Sequence, residues 1–357
     1  MANQTAGLVC AHHHLYSTLA RGMPATAKMP TSFIEILQQV WWRLDAALDE
    51  EMIYWSAMLG ATEALLNGTT CIIDHHESPN FIEGSLSVIA QACNTVGVRV
   101  NASYGVTDRW DNNGNLHSNV SPSTKMTQGA KRGLAECDRY LADGGRGMVG
   151  AHAAFTCGDE TLNAASELAI KHNTGVHIHV AEGQDDLDAG ARLETLSKDN
   201  WLLIHAVHLD RKLSGYVVHN PRSNMNNSVG YAKPSELLNK VLLGTDGIGA
   251  DMLEEARLAY VRLREFEITE TPATVWSWIE NGYELFPEAK HDKVTFNYDN
   301  VDSPWHVAFT PGLAVTDVEI DGEKVLCSGL PTRVDINEVR AKAAEQATRL
   351  HERLASQ

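Results

Sequence analysis

Leu8-Val9-Cys10-Ala11-His12-His13-His14 is a four-residue apolar run that ends in histidines. On an extended segment side chains alternate, so His12 and His14, at i and i+2, point to one side and can reach one metal ion. Working outward, the pattern returns three times. Gly175-Val176-His177-Ile178 leads into His179, with Glu182 three residues later. Trp201-Leu202-Leu203-Ile204 leads into His205, and Val241-Leu242-Leu243-Gly244-Thr245 leads into Asp246. Four strand-like runs thus end in residues suited to metal binding or proton transfer.

The rest of the chain supplies the frame. Strands are expected near 8–12, 70–74, 98–106, 148–152, 176–180, 201–205, 216–219 and 241–245. Helical periodicity lies between them at Asp49–Leu66, Phe81–Val96, Thr127–Leu141, Asp159–Lys171 and Asp188–Leu196. Asn67-Gly68 and Gly97 stand where helix C-caps belong, just ahead of strands. Strands separated by helices pair in parallel, and eight of them predict an α/β fold, a closed (β/α)8 TIM barrel over residues 7–285. Asp210–Gly215 is too short for a crossover helix, so that unit is expected to be irregular. Active sites of such barrels gather at the C-terminal strand ends, where His12, His179, His205 and Asp246 fall.

Beyond about residue 285 the pattern changes, and residues 286–357 are expected to form a small segment of β-strands and a terminal helix. Lys293–Tyr298 and Val315–Leu326 have strand character, with Asp321-Gly322 as a hairpin turn. A last helix starts at Asp335, with Glu338 three residues on as its capping partner and a stripe of Val339, Ala343, Ala347, Leu350 and Leu354 for packing.

Composition narrows the function. With 29 Lys and Arg against 46 Asp and Glu, the net charge of −17 argues against a nucleic-acid partner and fits a neutral or cationic small molecule. The N-terminus has no signal-peptide core and no apolar run is long enough for a bilayer, so no membrane partner and a cytoplasmic location are expected. Six cysteines lack C-x-x-C spacing, and several lie in apolar runs, as buried free thiols would. No glycine fingerprint for a dinucleotide follows a strand. The H-x-E and P-C-x-x-C pair of the zinc nucleobase deaminases is also missing.

The order H-x-H, H-x-x-E, a lone histidine at a strand end and then T-D-G resembles the amidohydrolase superfamily, in its mononuclear aminohydrolase branch. HHHLYSTLARG, VWWRLDAALDEE, IIDHHESP, VGVRV, HNPRSNMNN and LGTDG look closest to the SsnA-type aminohydrolases. The resemblance runs from about Gly7 to the C-terminus. Two features depart from it. Family members begin with β-strands that join C-terminal strands in a small sandwich. Here Met1–Ala6 precede the first ligand strand, so that half is expected to be missing and the strands after residue 290 to lack partners. The proline of the usual lead-in is replaced by Ala6.

The resemblance implies that His12, His14, His179 and Asp246 ligate one divalent metal, zinc first and ferrous iron second. It further implies that water activated on the metal attacks a ring carbon, with Glu182 relaying the proton to the leaving group. His205 would hold the attacking oxygen or polarise the carbon, and Asp246 could also take a proton. Met148–His152 carries no lysine to bridge two metals, hence one ion. The substrate implied is an amino-substituted, purine- or pteridine-like heterocycle that loses ammonia. Halide displacement, cyclic-amide opening and a non-catalytic metal-binding scaffold are the rival functions. For substrate contacts the candidates are His152 in GAHAAFT, His76 at the end of strand two, Asp108 at the end of strand three and Arg21 as a bidentate clamp. Asn220, Asn224 and Asn226 are expected to serve turns and caps, and Trp41-Trp42 to serve helix packing. A homodimer is compatible with this reading.

Overall fold

The alternating runs become eight parallel strands: β1 (Leu8–His14), β2 (Thr69–His76), β3 (Arg99–Tyr104), β4 (Val149–Ala153), β5 (Val176–Val180), β6 (Leu202–His205), β7 (Tyr216–His219) and β8 (Val241–Leu243). The structure is a computed structural model that describes residues 3–111, 113–116 and 120–356. β1 to β3 pair in order, as do β4 to β8. Parallel bridges Ala102–Gly147 and Val106–Ala151 join β3 to β4. Just past β8, Asp246–Gly247 pairs with His13–His14 and closes the ring. This is the closed barrel expected from the sequence.

Alternation sorts the side chains into two cores. Val9, Ala11, Cys71, Ile73, Met148, Leu202, Ile204, Val218 and Leu242 fill the barrel interior, plugged by Phe286 and Ala289. The intervening residues, such as Leu8, Cys10, Ile72, Val176, Ile178, Leu203, Val217 and Leu243, face the surrounding helices. Simple alternation would therefore turn His12 outward with Leu8 and Cys10. A register shift between Cys10 and His13 prevents this, because three residues of β1 span two of β2. The bulge re-aims His12 and His14 into the barrel.

The helices begin where the sequence places caps. Asp49 caps Glu50–Leu66 by accepting from Met52 N at 3.1 Å, and Thr127 caps Gln128–Ala142 through Ala130 N at 3.1 Å. Gly97 ends Ser85–Val96 at φ +98°, a left-handed cap open to glycine. Residues 206–215 link β6 to β7 without a helix, as expected. Helices at Phe33–Ile36, Trp42–Ala47, Met252–Phe266 and Pro272–Glu280 carry no mark in the expected pattern. A π-turn at Leu37–Trp41 joins the first two.

The expectation that the strands after residue 290 lack partners is corrected. Gln4–Thr5, Lys293–Phe296, Val315–Ile320, Glu323–Cys327 and Leu330–Pro331 form one antiparallel sheet in that order. The two residues just ahead of β1 suffice to cover one side of Lys293–Phe296. Asp321 and Gly322 turn the hairpin at φ +52° and +81°. Arg99, at the base of β3, holds buried Asp292 in a fork at 2.7 and 2.9 Å and so ties this sheet to the barrel. Helix Ile336–Ala355 starts at Asp335, which accepts from Asn337 N at 2.8 Å. Its stripe buries Val339, Ala343, Leu350 and Leu354, while Arg349 and Arg353 reach Asp49 at 3.0 and 2.9 Å. Five cysteines are buried and free, and Cys327 is free but exposed. Among the described residues no helix is long and apolar enough to cross a membrane.

Candidate active site

The hydrogen bonds behind three histidines settle which ring nitrogen faces the barrel mouth. His14 Nδ1 donates to the His75 carbonyl at 2.6 Å, and His179 Nδ1 donates to the His152 carbonyl at 2.6 Å. Carbonyls only accept, so both rings carry a proton on Nδ1 and turn Nε2 forward. His12 reaches the same state by a longer route. Ser103 Oγ donates to Asp74 O at 2.9 Å and so accepts from His177 Nδ1 at 3.1 Å. His177 Nε2 then accepts from His12 Nδ1 at 2.8 Å, again leaving Nε2 bare. His12 Nε2 is buried with no hydrogen-bond partner.

These Nε2 atoms converge on Asp246. Its Oδ1 lies 3.3 Å from His12 Nε2 and 3.0 Å from His14 Nε2, and His14 Nε2 lies 3.3 Å from His179 Nε2. Ligand atoms at about 2 Å from a tetrahedral zinc stand roughly 3.3 Å apart along each edge. Single ligand atoms of His12, His179, His205 and Asp246 also all lie within 4.8 Å of one another, so His205 borders the same point. The cluster calls for a cation. Burial alone would strip His14 of a second proton, yet the Asp246 carboxylate outweighs burial and raises His14 to about 9. Burial pushes His12 and His179 well down, so both are neutral imidazoles, as metal ligands must be. Three imidazole nitrogens packed against a carboxylate fit one divalent ion, which would take the place of the second proton on His14.

Backbone strain aims the remaining groups. His205 and Asp246 adopt φ +70° and +56°, and Ala181, just before Glu182, adopts +48°. Left-handed backbone is uncommon away from glycine and collects at functional sites. His205 would face outward by alternation with Ile204, and its left-handed turn swings the ring over the barrel mouth. There Nδ1 meets Asn224 Oδ1 at 2.7 Å, while Nε2 lies 3.4 Å from Glu182 Oε2 and 3.9 Å from Asp246 Oδ2. Burial raises the Glu182 carboxyl to about 7. Asp246 Oδ2 also accepts from the Ser223 hydroxyl. For Asp246, burial favours the neutral acid, but the His12 and His14 imidazoles against its carboxylate hold it well below its usual range.

Above the cluster opens a cavity of about 870 Å³, its mouth included, lined by His14, His179, Glu182, His205 and Asp246 at the base. Phe33, Trp41, Trp42 and Phe155 supply aromatic walls. The Trp41-Trp42 pair, expected to serve packing, does both: Trp42 packs with Leu37 and Trp110, and both rings border the cavity. Behind that wall Glu77 binds Arg109, whose guanidinium lies 4.4 Å over Trp42, and accepts from Trp110 Nε1 at 2.8 Å. Asp45, also on the wall, keeps a buried Oδ1 without a partner.

The four substrate candidates separate. His152 lines the cavity, its Nδ1 2.8 Å from Thr156 Oγ1. His76 does not, because its ring points outward from β2 to Ser78 Oγ at 2.7 Å and lies edge-on to Tyr16. Asp108 is buried and spends its carboxylate on the backbone N–H groups of Thr127 (2.8 Å) and Gly158 (2.7 Å). Arg21 is half-exposed and paired with Glu63 at 2.8 Å, outside the cavity. Asn226 lines the cavity and Asn224 holds His205, so both do more than cap a turn. The residues missed are His177, Ser223 and Asp45. His177 had a signal, since His177-Ile178-His179 repeats the His12–His14 spacing. The other two meet the site only through folding.

A closed parallel barrel with a His/Asp cluster and a partly buried glutamate at its C-terminal mouth is the build of a metal-dependent barrel hydrolase. The chain belongs to the amidohydrolase family, which it matches over residues 4–276. It is similar to a 5'-deoxyadenosine deaminase of Methanococcus vannielii, 26% identical over 95% of this chain and 86% of that protein. A 5-methylthioadenosine/S-adenosylhomocysteine deaminase of Desulforamulus reducens is 30% identical over 70% of this chain and 59% of that protein. Among solved structures, an adenosine deaminase from Xanthomonas campestris with bound zinc superposes with a TM-score of 0.79. It covers 98% of this chain and 86% of that one at 21% identity, a likeness of fold.

Proposed function

We propose that this protein is a metal-dependent aminohydrolase that removes ammonia from an amino-substituted, purine-like heterocycle. The observation that carries the reading is the set of three forward Nε2 atoms around Asp246, with Glu182 and His205 3.4 Å apart beside them. The deaminases among its relatives support the choice of leaving group and of an adenine-like ring.

His12, His14, His179 and Asp246 would hold the ion, zinc first and ferrous iron second, since three imidazoles and a carboxylate suit either. When bound, the ion supplies the Lewis acidity that brings the pKa of a water towards ~7. The protein's own groups do the rest. Glu182, raised to about 7 by burial, takes a proton from the attacking water and returns it to the departing nitrogen. One water and the amine thus yield the oxo-heterocycle and ammonia. His205, fixed by Asn224 at 2.7 Å, orients the attacking oxygen from the other side. Phe155, Trp41 and Trp42 offer faces for a flat ring, and His152 offers a polar contact at its edge.

The test is ammonia release from adenine nucleosides and aminopterins by the zinc-loaded protein, with product mass measured. Ammonia with an intact oxo-ring supports the reading. Release of halide from a chloro-analogue without ammonia from any amine would overturn it.

A further inference from the structure

Asp246 sits at φ +56° and Ile248 at φ +76°, so the turn that presents the carboxylate is strained at two residues other than glycine. Such a turn persists only where its surroundings hold it. The group that holds it lies outside the ligand set. The guanidinium of Arg222 donates to the carbonyls on both sides of Asp246, those of Thr245 and, at 3.0 Å, Gly247. One planar group therefore pins the peptide unit just before the ligand and the unit between Gly247 and Ile248, on either side of the strained turn.

Arg222 is itself held from behind. Its Nε meets Glu255 Oε1 at 2.8 Å and its backbone N–H meets Glu255 Oε2 at 3.3 Å. Glu255 is buried on helix Met252–Phe266, so the pair links that helix to the turn. Gly249 makes the approach possible, since a Cβ there would stand 2.9 Å from Arg222 Nη2.

We propose that Arg222, backed by Glu255 and admitted by Gly249, is a positioning residue that locks the turn carrying Asp246 and thereby sets the affinity of the metal centre. The inference rests on the metal-centre reading above. A guanidinium suits the task because one terminal nitrogen, Nη2, holds both carbonyls while Nε, on the same rigid plane, holds a carboxylate. Lysine offers a point charge and cannot make all three contacts.

The experiment is zinc titration against a competing chelator, in the absence of substrate, for the parent, Arg222→Met, Arg222→Lys and Gly249→Ala. Melting temperatures of the zinc-free and zinc-loaded forms accompany each titration. Loss of an outer partner of a ligand lowers metal affinity roughly 10- to 100-fold. Arg222→Met is expected in that range and Arg222→Lys between it and the parent. Gly249→Ala, which keeps every charge, should weaken zinc by pushing the guanidinium away, and it serves if Arg222→Met does not fold. The zinc-loaded melting temperature should fall further than the zinc-free one. Zinc affinity within twofold of the parent in the variants that fold would overturn the inference, even if both melting temperatures drop, since that is a purely structural role. A parent that binds no zinc would instead remove the metal-centre reading, and this inference with it.

Discussion

Replacing Glu182 by glutamine keeps the side chain's size and removes its capacity to carry a proton. In the structure this carboxyl lies 3.4 Å from His205 Nε2, and burial holds it at about 7, where taking and giving a proton are nearly balanced. A positioned proton carrier contributes roughly 10²- to 10⁴-fold to rate. Glu182 would act twice, on water and on the departing amine, so the upper half of that range applies. Glu182→Gln should lower kcat about 10³- to 10⁴-fold, or roughly 4–5.5 kcal/mol of barrier. Glu182 is not among the four groups assigned to the ion, so zinc affinity should stay within about threefold of the parent. The assay is ammonia release at saturating substrate, with zinc content measured on the same samples. Turnover within tenfold of the parent, at full zinc occupancy, would refute the assignment of the proton carrier.

Two further outcomes follow from the groups behind the site. His177→Leu leaves His12 Nδ1 without the acceptor now at 2.8 Å, and should weaken zinc about 10- to 100-fold while turnover per bound zinc changes little; unchanged zinc affinity by chelator competition would show that the Ser103–His177–His12 chain does not orient the ligand. Asp74 is buried on β2 with Oδ1 accepting from Leu15 N at 2.7 Å and Oδ2 unpartnered, and burial raises it to about 7. Its folded pKa lies above the unfolded value, so the native state keeps a proton that the unfolded chain gives up. The resulting stability is full below about pH 4 and is lost as pH rises through about 7. Asp74→Asn cannot ionise, and should be more stable than the parent at pH 8 by on the order of 1–4 kcal/mol while matching it near pH 4. A difference that is the same at both pH values in thermal melts would rule this out.

The sequence by itself determined the barrel and most of the candidate metal ligands. Alternation and helical periodicity are local, and a strand that ends in His12, His179 or Asp246 does so whatever surrounds it. The spacing of His12 and His14 put both on one side, and Glu182 followed from its distance to His179. Only the tertiary structure decided which side faced the interior. A bulge in β1 turned His12 inward, and left-handed backbone at His205 and Asp246 brought those groups over the barrel mouth. The same holds for the groups that left the site. His76, Asp108 and Arg21 lie near strand or helix ends in the sequence, yet Ser78, two backbone N–H groups and Glu63 claim them. Gln4–Thr5 found a partner nearly 300 residues away. Spacing sets which residues share a strand. Which partner satisfies a buried polar group depends on segments far apart in the chain, and that is settled only when they pack.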